Sequence, residues 1–287
     1  MTTPFTKMHG LGNDFVVFDA RARLLDLDAR QIAAIANRRT GVGCDQVIIM
    51  ENPDTASQDA DVFMRIYNAD GGEVGACGNA TRCIASAIML ETGRDEAVIQ
   101  TRAGNLHAHR APGDAITVDM GPARLGWRDI PLNEERDTAH LNISSGPLRD
   151  PVAVNVGNPH AVFIVADVTA IDLDTHGPIL EKHPLFPERA NIEAAQVIDR
   201  AHIRLRVWER GAGITQACGT GACATLVACA RRGLTGRTAE VLLDGGPLVI
   251  EWRADDHVLM TGPVAISYDG ALAPSLTAPS PADTAED

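Results

Sequence analysis

The sequence predicts an α+β fold of two similar halves related by a pseudo-twofold axis. Each half is a curled, mostly antiparallel β-sheet, barrel-like, around a central buried helix. Three observations predict it. Short segments recur in the same order at a nearly constant offset; short β-branched runs are bounded by Gly, Pro or Asp; and two Ala-rich helical runs lack a polar stripe.

The recurrence fixes the division. GNDFVVFD (12–19) echoes GNPHAVFIVAD (157–167), and the Asp-Leu-Asp at 26–28 returns at 172–174. QVII (46–49) returns as QVI (196–198), MRIYN (64–68) as LRVWE (205–209), Ala-Cys-Gly (76–78) at 217–219, and MGPA (120–123) as TGPV (261–264). The offsets are 145, 146, 150, 141, 141 and 141 in a chain of 287 residues. Six collinear echoes indicate a duplication. The expected domains are residues 1–121 with about 264–270, residues 122–263, and a disordered Ala/Pro/Ser/Thr/Asp-rich tail at 271–287.

Along the chain, an amphipathic helix is expected over 29–38, followed by strands at ADVFMRIYN (60–68), EAVIQTRAG (96–104) and AITVDMG (115–121). Between the first two of these strands lies a helix over 79–90, with Asn79 as its N-cap type and Gly93 near its end. In the second half, strands are expected at IRLRVWER (203–210), AEVLLDGG (239–246) and HVLMTGP (257–263). The helix over 220–232 starts at Thr220, carries Arg231 and Arg232 at the negative end of its dipole and stops at Gly233.

Composition narrows the function. At 45% hydrophobic and 22% charged the chain reads as a soluble globular protein, and a net charge of −13 disfavours a nucleic-acid partner. No stretch reads as a signal peptide or spans a bilayer, so a cytoplasmic protein without a membrane partner is expected. The six cysteines are then expected to be free thiols rather than disulfides. No Cys-x-x-Cys or His-x-x-x-His pair suggests a metal, and the glycines of HGLGNDF and CGTGA lack the remainder of a nucleotide-binding motif.

Cys77 and Cys218 carry the chemistry. Each directly precedes a buried helix, where free backbone N–H groups and the dipole favour a thiolate and bind anions. Across a pseudo-twofold cleft the two thiols would face each other. Inverting a stereocentre by proton removal requires a base on one face and an acid on the other, and a thiol serves as either. Charge developing on a neighbouring carboxylate would lie over two helix N-termini, with no need for a cofactor. A thiol redox pair is the competing reading, but redox dithiols sit close in sequence. Cys44, Cys83, Cys223 and Cys229 read as small buried hydrophobes.

The motifs KMHGLGNDFVVFD (7–19), NADGGEVGACGNATR (68–82), GNPHAV (157–162) and ERGAGITQACGTGA (209–222) resemble those of the diaminopimelate epimerases, and the resemblance runs to about Tyr268. It implies reversible epimerisation of LL-2,6-diaminopimelate to the meso form, in lysine and peptidoglycan precursor synthesis, with neither cofactor nor metal. It also implies that the final strand returns to complete the first half. Cys77 and Cys218 would be the acid/base pair, and the backbone of Gly78, Asn79, Gly219 and Thr220 would hold the reacting carboxylate. Glu209 would accept from an ammonium and Arg210 would pair with the distal carboxylate. Asn68, Asn158 and Asn191 would supply neutral hydrogen bonds, Asn13 and Gln46 the pocket wall, and His160 support for one cysteine. From the residues alone, Asn68 and Asn158 also read as turn formers, Glu209 and Arg210 as a solvated strand end, and His160 as a core histidine.

The sequence departs from the family pattern at Gly72, where Ser is usual, at Ala80, whose counterpart is often Gly, and at Ile214, which replaces a common Glu. The alternative substrate is proline-like, but it has no distal charges to meet Glu209 and Arg210. The expected partner is a small molecule, and a homodimer is left open.

Overall fold

In a computed structural model that describes residues 2–54, 57 and 59–276, the chain divides into two compact units. One comprises the N-terminal 108 residues with the chain from Val264 onward, and the other residues 109–263.

In the first unit, strand Thr3–Gly10 folds back antiparallel onto Asn13–Asp19. The turn needs positive φ at Leu11 (56°) and Gly12 (84°), a conformation that glycine adopts without strain. Helix α1, Ala29–Ala36, crosses over to strand Gln46–Glu51, which pairs in parallel with Asn13–Asp19. Its start is fixed by a capping box in which Asp28 and Gln31 satisfy each other's backbone N–H. Strand Val62–Asn68 follows antiparallel, and helix α2, Gly78–Thr92, crosses over to the parallel strand Glu96–Thr101. The last strand, Ala265–Leu272, pairs with Thr3–Gly10. Phe5, Val16, Phe18, Ile32, Ile35, Val47 and Ile49 form one core, into which Cys44 is packed.

The second unit repeats the plan. Val152–Asn155 turns at Gly157 (φ 107°) into Pro159–Ile164, and helix α3, Leu173–Glu181, leads to the parallel strand Asn191–Asp199. Strand His202–Glu209 follows antiparallel, and helix α4, Gly219–Arg231, crosses to the parallel strand Thr238–Leu243. Gly246–Trp252, His257–Gly262 and Ile116–Pro122 continue the sheet antiparallel. It curls without closing: its edge strands meet through Arg124, which bridges to Asn155. Strands from Val152–Asn155 round to His257–Gly262 pack against α4, so the helix is buried on every side. The pairing of Ile116–Pro122 with His257–Gly262 places that strand in this unit.

Three details differ from the sequence reading. The structural counterpart of Gln46 is Asn191, because Phe15 lies opposite Gln46 just as His160 lies opposite Asn191. The QVI echo at 196–198 is therefore out of register by several residues. Helix α3 was not legible, because Gly177 and Pro178 interrupt its pattern. Gly177 is needed there, since a Cβ would lie 2.5 Å from the ring of Trp208. Lastly, Ala271 and Leu272 still pair with Pro4 and Thr3, and Pro274–Leu276 form a 3-10 turn. The remainder of the expected tail, 277–287, lies outside the described residues. No helix among the described residues is long and apolar enough to cross a membrane.

Candidate active site

Cys77 and Cys218 are the N-cap residues of α2 and α4, so each helix begins at the glycine after the thiol rather than at Asn79 or Thr220. Both caps have extended backbone, with φ of −150° and −110°. The unpaired N–H groups of a first helical turn therefore start beside each sulfur. Gly78, Asn79 and Gly219 are buried in those turns, and Thr220 is half-buried.

In the first unit, the half-buried Cys77 donates its thiol toward Asn13 Oδ1 at 4.0 Å. Asn79 Nδ2 donates to the same oxygen at 3.1 Å, and the fully buried Arg82 donates to Asn79 Oδ1 at 2.9 Å. Asn13 Nδ2 in turn donates to Asp45 Oδ2 at 3.0 Å, and Arg38 holds the other oxygen of Asp45 at 2.6 Å. The side chains of Gln46 and Asn68 meet across adjacent strands at 3.0 Å. Gln46 Oε1 is buried without a hydrogen-bond partner among the described residues, leaving an acceptor for a ligand.

In the second unit, Cys218 is only 5% exposed. Its sulfur accepts from Gly221 N–H at 3.3 Å and lies 3.6 Å from Thr220 Oγ1. The helix start favours a thiolate here, and burial works against it. Burial, followed by the neighbouring carboxyl groups of Glu209 and Glu193, pushes the thiol well up, and the bonds from Thr220 and Gly221 oppose this more weakly. This direction favours the thiol over the thiolate at Cys218.

Glu209 accepts from the hydroxyl of Thr215. Asn191 donates to Pro159 O at 3.1 Å and accepts from the backbone N–H of Arg210 at 2.9 Å, while the Arg210 side chain reaches Glu188 O at 2.9 Å. Asn191 adjoins Glu209 in register, just as Gln46 lies opposite Asn68. Fully buried His160 bonds through Nδ1 to Glu193 Oε1 at 2.6 Å and through Nε2 to Asn158 Oδ1 at 2.7 Å.

Sequence reasoning missed Glu193, Arg82 and Asp45, each of which holds a candidate residue in place. A charged residue inside an apolar strand or an Ala-rich helix was the available signal, as in NIEAAQV and NATRCIA. Ile214, where the family pattern has Glu, packs, as Trp208 does, against the apolar cluster that includes Phe163, Ile171 and Leu180. Its counterpart by register, Glu73, instead pairs with Arg65 and Arg102. The other three cysteines of the helices, Cys83, Cys223 and Cys229, are fully buried.

The model of the diaminopimelate epimerase family matches residues 5–126 and 152–267. Among similar proteins, one named diaminopimelate epimerase from Rhodospirillum centenum is 58% identical over 96% of this chain and 94% of its own. One of the same name from Acidiphilium cryptum is 54% identical, covering 96% and 98%. Solved structures share the fold at low identity. A phenazine biosynthesis protein of the PhzF family from Bacillus anthracis has a TM-score of 0.68 at 16% identity, covering 95% of this chain and 99% of its own. A hydroxyproline epimerase from Agrobacterium vitis has 0.66 at 15%, covering 94% and 92%.

Proposed function

The chain belongs to the diaminopimelate epimerase family, and from that premise we propose that it interconverts LL-2,6-diaminopimelate and meso-diaminopimelate, with Cys77 and Cys218 as the acid/base pair. The observation that carries the assignment is the duplicated placement of the two thiols, each capping a buried helix and followed by Gly.

One thiolate takes the α-proton, and the electron pair left on carbon delocalises into the adjacent carboxylate. The other thiol delivers its proton to the opposite face, becoming the thiolate. The two cysteines thus exchange protonation states in one turnover, and the reverse direction exchanges their roles. Burial and the nearby carboxyl groups hold the Cys218 thiol up, which suits it to the acid role and leaves the base role to Cys77. The N–H groups at the starts of α2 and α4 stabilise the negative charge on the carboxylate as it develops. Glu209 and Arg210 suit the distal ammonium and carboxylate, with Asn68, Asn158 and Asn191 as neutral partners, Asn13 and Gln46 alongside, and His160 behind Asn158. We place the activity in the cytoplasm, whose reducing conditions keep both thiols free.

The test is α-proton exchange in D₂O with reduced protein and LL-diaminopimelate, followed by NMR with no cofactor added. Exchange with appearance of the meso isomer is the expected result. Exchange with proline or hydroxyproline alone would move the substrate, and no exchange with any of them would remove the two-thiol chemistry.

A further inference from the structure

Asn13 and Asn158 occupy equivalent positions just after the first hairpin turn of each unit, but they are held with opposite polarity. Asp45, a carboxylate, can only accept from Asn13, so its Nδ2 faces Asp45 and Oδ1 is presented to Cys77 and Asn79. Asn158 is reversed. Its Oδ1 faces His160 Nε2, and its Nδ2 makes no hydrogen bond among the described residues, so that half of the amide is left to donate outward.

For Asn158 Oδ1 to accept, His160 Nε2 must carry a proton. Were Glu193 a plain carboxylate beside a neutral imidazole, Nδ1 would hold the ring's single proton and Nε2 would be a bare lone pair. The observed arrangement needs one proton more. Either Glu193 is a carboxylic acid donating to Nδ1, or that proton has moved to the ring. The surroundings favour keeping it. The pair is fully buried, and Glu193 Oε2 has no hydrogen-bond partner among the described residues, which costs a charged carboxylate more than an acid. The titratable groups facing the pair are Glu209 on the neighbouring strand and Cys218 at the start of α4, and neither is a cation.

We propose that Glu193 is a positioning residue, and that the proton it shares with His160 decides which end of the Asn158 amide meets the ligand. With the proton, Asn158 offers a donor suited to a carboxylate. Without it, Nε2 turns acceptor, the amide rotates to donate inward, and an oxygen faces the carboxylate instead. This rests on the reading of Asn158 as a substrate contact, but the state of the pair is measurable without any substrate.

The test has two arms on the full-length protein. Long-range ¹H–¹⁵N correlation of ¹⁵N-histidine-labelled protein, with His160 assigned through His160→Phe, should show Nε2 protonated at neutral pH, and that proton lost as the pH is raised and Glu193 becomes a carboxylate. Kinetics with LL-diaminopimelate should show KM rising about tenfold over that same range while kcat changes less. In Glu193→Gln the KM rise should vanish, because an amide has no proton to lose. An unprotonated Nε2 at neutral pH would overturn the proposal, and so would an unchanged KM rise in Glu193→Gln. If the variant does not fold, the wild-type titration decides alone. If the wild type leaves diaminopimelate untouched, the functional reading fails while the NMR arm still reports on the pair.

Discussion

The two halves place a cysteine at the same point of the same motif and surround it with different chemistry. Beneath Cys77 run Asn13, Asn79 and the buried guanidinium of Arg82. Around Cys218 stand Glu209 and the Glu193–His160 pair, and the position equivalent to Arg82 is Cys223. At equivalent positions the first half has Arg82, Ile48 and Asn68 where the second has Cys223, Glu193 and Glu209, on an otherwise common backbone. The proposed reaction needs one group to start as base and the other as acid, and this asymmetry would supply the distinction.

The largest effects should come from removing the thiols themselves. Cys77→Ala and Cys218→Ala should each lower epimerisation by about 10³-fold or more, the scale of a lost general acid or base, measured as formation of meso isomer by NMR. Cys229→Ala, in the apolar body of α4, should keep most of the activity. If either of the first two variants turned over near the wild-type rate, the halves would not be partners in proton transfer.

The next effect separates the halves by stability. Arg82→Ala empties a fully buried site and removes the hydrogen bond from the guanidinium to Asn79 Oδ1. It should cost about 3 kcal/mol, read as a lower midpoint in urea. Cys223→Ala, at the equivalent position, removes one sulfur from an apolar site and should cost about 1 kcal/mol. Equal losses would mean that the guanidinium is not integral to the first half.

How much of this was legible depends on what repeats. The duplication, the strand-rich pattern, both central helices and the cysteine that caps each of them could be read because they depend on local periodicity and on motifs recurring at 141–146 positions. The register of Gln46 with Asn191 was hidden, although the connections before the two strands are equally long, because the two residues differ in type while the short apolar echo QVI repeats at 196–198. The groups behind the site were hidden for another reason. Glu193 and Asp45 act through partners 33 and 32 positions away, His160 and Asn13, and no local pattern encodes such a pairing.

Thiol reactivity sharpens the contrast further. With iodoacetamide at neutral pH, Cys77, half-buried, should be alkylated about tenfold faster than Cys218, which is buried and favours its thiol form. Burial also pushes Cys44 up to about 11 and Cys83 and Cys229 to about 12, so these should lag as well. The sign with pH is definite. A raised thiol pKa means that labelling of Cys218 keeps climbing beyond about pH 8.5, the ordinary cysteine value. By linkage, the stability gained from these buried neutral thiols is complete below that pH and is lost as pH rises through their folded values. Peptide mapping of the labelled sites against time and pH checks both statements, and equal labelling rates would contradict the assignment of Cys218 as the protonated partner.

The smallest effect comes from one methyl group. Gly221 and Ala80 are equivalent residues in the first turns of α4 and α2. A Cβ on Gly221 would lie 3.2 Å from both Cys218 Sγ and Glu193 Oε1, so the site is glycine because the sulfur and the buried carboxyl converge on it. The first half has Ile48 where the second has Glu193, by the shared register, and Ala80 is accommodated there fully buried. Gly221→Ala gains helix propensity of roughly 0.5–1 kcal/mol, which should offset most of the crowding, leaving the urea midpoint nearly unchanged. Its cost should fall on chemistry, as a few-fold drop in kcat from a displaced Cys218 sulfur. Ala80→Gly should behave oppositely, losing about 1 kcal/mol of stability while keeping kcat within a factor of about two. If both variants moved stability and kcat alike, Gly221 would be an ordinary helix glycine, and the convergence of Glu193 on Cys218 would play no part in setting the position of the thiol.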